Sequence, residues 1–178
     1  MAVTGFGVRT FTIKYVRRIL FTTTIVFIFT LLSSCGGGKV IKKRNLLDVV
    51  QDATASSQFS EGYRAMFAFD GKIDTRWMAT ETTWKGWLEA RYAEPRSFSK
   101  ASFTCAVQEK EGVPKDFFIE YFDPVTNDWA VALEVKDNQK EKWSGSFEAH
   151  SSDRWRIRVT SVINDQGDLT ISELTFYN

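Results

Sequence analysis

The 178-residue chain has a single histidine, His150, and two cysteines, Cys35 and Cys105. A His-based zinc centre needs more than one imidazole, and no G-x-S-x-G turn is present to seat a nucleophilic serine. Charge of either sign is not in excess: 23 Lys and Arg stand against 22 Asp and Glu, a formal net charge of +1. Such a balance gives no reason to expect a nucleic-acid partner. No apolar run reaches the roughly 20 residues of a comfortable membrane span. Nor does any stretch hold a helical period for three turns, which argues against a helical bundle.

What is present begins with an asymmetric amino-terminal segment. Arg9, Lys14, Arg17 and Arg18 precede the apolar run from Ile19 to Leu32, and no acidic residue interrupts them. That is the pattern of a secretory signal. The run closes on Leu32-Ser33-Ser34-Cys35, which resembles a bacterial lipobox. The resemblance implies residues 1–34 as a lipoprotein signal peptide and Cys35 as the lipidated first residue of the mature chain. Residues 35–46 then read as a tether, with Gly36-Gly37-Gly38 followed by Lys39, Lys42, Lys43 and Arg44 beside a membrane surface. Without residues 1–34 the 23 basic side chains fall to 19 against 22 acidic, a net charge near −3. Residues 47–178 form one domain-sized remainder.

That remainder reads as short strands between polar turns. Phe117, Ile119 and Tyr121 alternate, Asp123 to Asp128 turns the chain, and Trp129, Val131, Leu133 and Val135 alternate again. Trp155, Ile157 and Val159 share one face of a run whose other face carries Arg154, Arg156 and Arg158, expected as a solvated sheet face. Cys105 alternates with Phe103 and Val107, the pattern of a buried strand thiol. Trp77, Trp87, Trp129 and Trp155 sit on strand-like runs and are expected in the core. Around Ser172-Glu173 the alternation of Leu169, Ile171, Leu174 and Phe176 breaks, as a bulge would break it. The fold class is all-β, an antiparallel sandwich or jelly roll.

The densest chemistry lies in Ala65 to Trp77, AMFAFDGKIDTRW. Phe67 and Phe69 read as the end of a strand, and Asp70-Gly71 as a tight turn in which glycine supplies the backbone freedom. Asp70, Asp74, Thr75 and the turn carbonyls offer oxygens to a hard cation, though fewer than the six to eight that calcium takes. Spacing alone does not separate such a site from an Asp-Gly turn that caps its own backbone.

The longer stretch Ala53 to Trp77, ATASSQFSEGYRAMFAFDGKIDTRW, resembles the opening of the discoidin domain, the coagulation factor 5/8 type C domain, which includes carbohydrate-binding module family 32. GWLEARY from Gly86, PKDFFIEYFDPVTNDW from Pro114, DRWRIRV and ISELTFY fit later strands of that family. The resemblance implies a galactose-binding-like jelly roll of about eight strands over residues 47–178. It also implies a structural calcium held by Asp70, the backbone of Lys72, Asp74, Thr75 and Glu173, the last brought in from the final strand.

By the same resemblance, loops at one end of the sandwich would present an aromatic platform with polar neighbours. Sugars suit such a site, because their C–H faces stack on rings while hydroxyls take directional hydrogen bonds. Trp84 in the run Met78 to Lys85 is one candidate, and edge packing is its alternative. Trp143 and His150 are further loop candidates, with Lys110 and Asn164 in loops that can reach the same end. The expected function is non-catalytic binding of extracellular or envelope carbohydrate. An envelope protein partner is the alternative, with phospholipid binding or hydrolysis behind it; a hydrolase would have to use carboxylates, such as Asp70 and Asp74, that the family keeps for its metal.

Overall fold

The computed structural model describes residues 49–80, 84–106, 112–163 and 167–178. Contacts divide the chain into Met1–Lys43, outside the described residues, and Arg44–Asn178, which holds all of the structure below. The lipobox and tether, with Cys35, lie outside the described residues.

Eight strands follow in order: β1 (Asp52–Ala55), β2 (Trp77–Met78), β3 (Gly86–Thr104), β4 (Pro114–Asp123), β5 (Asp128–Val135), β6 (Lys142–Val162), β7 (Thr170–Ile171) and β8 (Glu173–Tyr177). All pairings are antiparallel. The main sheet runs β1-β3-β6-β4-β5, with β8 on β3, and β2 pairs with β7 separately. The expected all-β sandwich of about eight strands is what the chain forms.

Two long strands make both layers. Gly86 to Arg91 of β3 pairs with Val159 to Arg154 of β6, whereas Lys100 to Thr104 pairs with Ser146 to Lys142 and, on its other edge, with Tyr177 to Glu173. Register shifts between Arg91 and Arg96 and between Phe98 and Lys100 mark the bend. Pro95 falls there, where a missing N–H costs no ladder bond. The halves close on each other through aromatics. Phe98 and Phe176 both pack on Trp155, at 5.4 and 5.6 Å between ring centroids, and Phe103 meets Phe117 at 5.4 Å. Leu88, Trp155, Ile157, Phe117 and Ile119 are fully buried among them. Each such side chain contributes about 1.5–3 kcal/mol on burial.

Four local expectations are corrected. Ala65–Phe69 is a 3₁₀ helix, not a strand. Ala65 and Ala68, three apart and so on one side of such a helix, are buried, while Phe67 and Phe69 remain half-buried and Arg64 lies 5.1 Å over the Phe67 ring. The break near Ser172 is no bulge either. Ser172 is fully buried where the chain leaves β7 for β8; its N–H donates to the Thr104 carbonyl and its hydroxyl oxygen accepts from Ala106 N–H.

Trp77 and Trp155 are core as expected, but Trp87 and Trp129 are half-buried on the outer face of the sheet. That face is a paired network, where a solvated one was expected. Arg154 donates to both oxygens of Glu89 at 2.7 and 3.2 Å, and Glu120 accepts from Arg156 Nε at 2.6 Å and Arg158 Nε at 2.8 Å. The guanidinium of Arg156 lies 3.9 Å over Trp129 and that of Arg158 lies 4.2 Å over Phe118. Arg156 stands opposite Glu120 in register, while Arg154 and Arg158 reach Glu89 and Glu120 on the diagonal, so side chains of one sheet face build the network.

Candidate functional site

The Asp-Gly turn and the last strand come together although 102 residues separate them. Asp70 ends the 3₁₀ helix, and Gly71 follows at φ 78°, a left-handed conformation that a Cβ would strain. Asp70 Oδ1 accepts from Lys72 N–H at 2.9 Å, and the Thr75 hydroxyl reaches the carboxylate at 2.8 and 3.0 Å. From the other side Glu173 Oε2 accepts from Gly71 N–H at 3.0 Å. The Thr75 hydroxyl lies 3.5 Å from the Lys72 carbonyl.

These donors are two carboxylates, a hydroxyl and a carbonyl, all hard oxygens, and they fit a calcium-type cation whose remaining ligands would be carbonyls or water. Among the described residues no cluster of three or more His, Cys, Asp or Glu forms, so nitrogen- or sulfur-rich metal chemistry has no seat there. Asp74 is exposed at the turn.

The loop end is built from three segments tied at their roots. Ile163 N–H donates to the Val113 carbonyl, Thr170 N–H to that of Gly112, and Ala79 N–H to that of Leu169, all within 2.9–3.0 Å. Gly112 holds φ 71°, and a Cβ there would stand 1.9 Å from the Asp168 carbonyl oxygen, so only glycine fits this root. Trp84, 47% exposed, stands two residues before β3 at this end. Lys110 and Asn164 lie outside the described residues.

Trp143 and His150 are not loop residues. Trp143 lies on β6 with its ring stacked on Phe103 at 5.6 Å and edge-on to Phe117 at 5.0 Å, so it fills the core margin. His150, also on β6, pairs with Phe98 beside the bend and stacks on Tyr121 at 4.3 Å. Gly86 pairs with Val159, so the stretch Ser152 to Val159, roughly 23 Å of strand, separates His150 from the Trp84 end. The Ser-Gly-Ser run beside Trp143 suggested a loop, yet small residues there make room for its ring against Gly145.

A group that sequence reasoning missed is tied to the Met78–Thr80 segment. Phe59, 40% exposed, meets the Tyr63 ring edge-on at 5.6 Å, and Arg76 lies 5.5 Å over Tyr63. Phe59 N–H donates to the Met78 carbonyl and Thr80 N–H to Ser57 Oγ, which ties this group to the segment leading to Trp84. These bonds join residues about twenty positions apart, and no spacing in the sequence signals them.

An antiparallel β-sandwich with three segments tied together at one end and a hydrogen bond between its first loop and last strand defines a class of non-catalytic binding domains. The F5/8 type C domain profile matches residues 52–166, and the chain belongs to that family. Solved structures share the fold. Chitosan-binding module 2 of the chitosanase/glucanase from Paenibacillus sp. IK-5, in complex with chitotriose, is 17% identical at a TM-score of 0.65, covering 74% of this chain and 99% of that one. The family 32 module of C. perfringens NanJ, in complex with galactose, is 18% identical at 0.62, covering 71% and 93%. A further family 32 module from Clostridium perfringens, CpGH89CBM32-5 with GalNAc-β-1,3-galactose, is 16% identical at 0.63, covering 71% and 94%. No curated protein matches the sequence.

Proposed function

We propose that the domain binds carbohydrate at the loop end that carries Trp84, and that it does so as part of a lipid-anchored protein of a bacterial envelope, outside the cytoplasm. The observation that carries the binding reading is the exposed Trp84 indole beside three loops rooted in one hydrogen-bonded knot. An aromatic face flanked by polar loops matches the amphipathic surface of a sugar ring. Structural neighbours solved with galactose, GalNAc-β-1,3-galactose and chitotriose support the ligand class. Lys110 and Asn164 would supply polar contacts, whereas Trp143 and His150 drop out of the site. The same residues that fit a hard cation, Asp70, the Lys72 carbonyl, Thr75 and Glu173, would hold a structural calcium that clips the first loop to the last strand, with Asp74 beside them.

The binding test is a glycan array with the full chain in a non-glycosidic detergent, run beside Trp84→Ala. Selective binding weakened at least about 30-fold in the variant, the loss of roughly 2 kcal/mol expected for a hot-spot aromatic, supports the reading. Silence across a broad array overturns it in favour of an envelope protein partner. For the anchor, which rests on Leu32 to Cys35, a Cys35→Ser protein is expected to lose palmitate labelling and membrane fractionation. Retention of both would sink it.

A further inference from the structure

On the side of the sandwich, between β1 and the 3₁₀ helix Ala65–Phe69, lies a cleft of about 580 Å³. That volume falls within the range of small-molecule sites, about 300–1,000 Å³. Asp52 to Ala55, Ser57, Gln58 and Arg64 to Phe67 line it, so Trp84 is not among its walls.

The main chain makes one wall polar. β1 is the edge of the sheet, and Ser56 N–H donates to the Trp87 carbonyl in register with Ala55 opposite Leu88. Antiparallel hydrogen bonding alternates, so Thr54 and Asp52 also pair with β3 while the N–H and C=O groups of Ala53 and Ala55 point to the open edge. Those two residues line the cleft and offer it both donors and acceptors.

The side chains add matched groups. Ser57 Oγ accepts from Thr80 N–H at 3.2 Å, which leaves its hydroxyl proton to donate. Among the described residues the Gln58 amide is engaged by a 3.5 Å bond to Glu61, and Arg64 by a 4.0 Å pair with the same carboxylate and by the Phe67 ring beneath it. Asp52 and Arg64 bring one charge of each sign, so the lining holds no excess charge to select an ion. Met66 and Phe67 supply an apolar floor.

We infer that this cleft is a second carbohydrate subsite, which takes a neutral saccharide and is separate from the loop end. The inference rests on the reading of the domain as a glycan binder. Mixed donors and acceptors, cancelling charges and one ring suit a polyol better than an anion, a cation or an apolar ligand.

The test compares the full chain, Trp84→Ala, Arg64→Ala, Gln58→Ala and Trp84→Ala combined with Arg64→Ala, on an array of neutral, acidic and amino glycans. Hits are then titrated at 50 and 500 mM NaCl. Arg64 and Gln58 are exposed, and thermal melts check that the variants fold. Trp84→Ala is expected to keep a set of neutral glycans with affinities unchanged within twofold by salt. Gln58→Ala and Arg64→Ala should each weaken that set about tenfold, and the double variant should lose it. If Trp84→Ala abolishes all binding, or if its residual binding ignores Gln58 and Arg64, the cleft is not a subsite and the loop-end reading stands. If Trp84→Ala changes nothing while the cleft variants lose binding, the loop end fails and the cleft stands. A parent chain that binds no glycan overturns both.

Discussion

Removing divalent cations should loosen the domain by an amount that can be stated in advance. Asp70 and Glu173 converge on the same turn, one accepting from Lys72 N–H and the other from Gly71 N–H, so a cation there would bridge segments 102 residues apart. Calcium sites in extracellular modules have dissociation constants of about 10⁻⁴–10⁻³ M. At 10 mM calcium, roughly 10 to 100 times that value, linkage gives about 1.4–2.7 kcal/mol. Unfolding entropy of about 2.1 cal/mol/K per residue over a domain of about 130 residues converts this to roughly 5–10 °C in Tm. The assay is a thermal melt in EDTA and again after calcium is restored in excess. Glu173→Gln should abolish the calcium response, and in EDTA it should differ from the parent by only about 1 kcal/mol, the loss of one charged hydrogen bond to Gly71. A parent whose Tm moves by less than about 1 °C between EDTA and calcium refutes the metal, and the turn is then held by its hydrogen bonds to Asp70 and Glu173.

Glu120→Gln removes the charge that two arginines share at a nearly buried position. Breaking such a pair costs about 3–5 kcal/mol, but Arg158 is a third exposed and can turn to water, so about 2–3 kcal/mol is expected. Chemical denaturation checks it, and a loss that vanishes in 1 M NaCl would mean the network is solvated. The Ser161 hydroxyl, then Asp137 N–H, holds the Asp116 carboxyl below its ordinary range. Its folded pKa lies under the unfolded value of about 3.9, so its contribution is complete above that pH and lost as pH falls through the folded pKa. Asp116→Asn should therefore cost about 1 kcal/mol at pH 7, allowing for solvent screening, and the gap to the parent should close in urea melts below pH 4. Burial, and secondarily Glu141, pushes the Cys105 thiol far up, and its Sγ donates to the Thr170 carbonyl. In a Cys35→Ser protein a disulfide reagent at pH 8 should find no thiol until denaturant is added; rapid native titration would show that the chain opens just beyond β3.

Much of the scaffold was legible because strand periodicity survives in the residues themselves. The alternation over Phe117 to Tyr121 and Trp129 to Val135, with the turn between, became the β4-β5 hairpin, closed at Asp123 opposite Asp128 with Asn127 at φ 53°. The meeting of Glu173 with Gly71 has no local signal and was reachable only through family resemblance. Ala65–Phe69 misled because two phenylalanines two apart mimic a strand, while the alanines that face the core are silent in such a pattern. Trp143 and His150 were misplaced because the loop cue came from small and polar neighbours, whereas β6 runs unbroken through them for 21 residues. The outer-face network and the side cleft depend on which residue of one strand lies opposite which of another, and composition does not encode register.

The position of β1 gives the domain a defined mechanical polarity. A pull at its amino end directed across the sheet meets an edge strand of four residues, whose ladder to β3 would peel one rung at a time from Asp52. Peeling needs less force than shearing all rungs at once, so β1 would yield first and release a few residues of chain. The next obstacle is of another kind: the clip at Gly71 and Glu173 ties the advancing segment to the carboxy-terminal strand, and that strand is zipped to β3 along its full length. Strain entering from the amino end is therefore absorbed in a short sacrificial segment before it reaches the loops around Trp84.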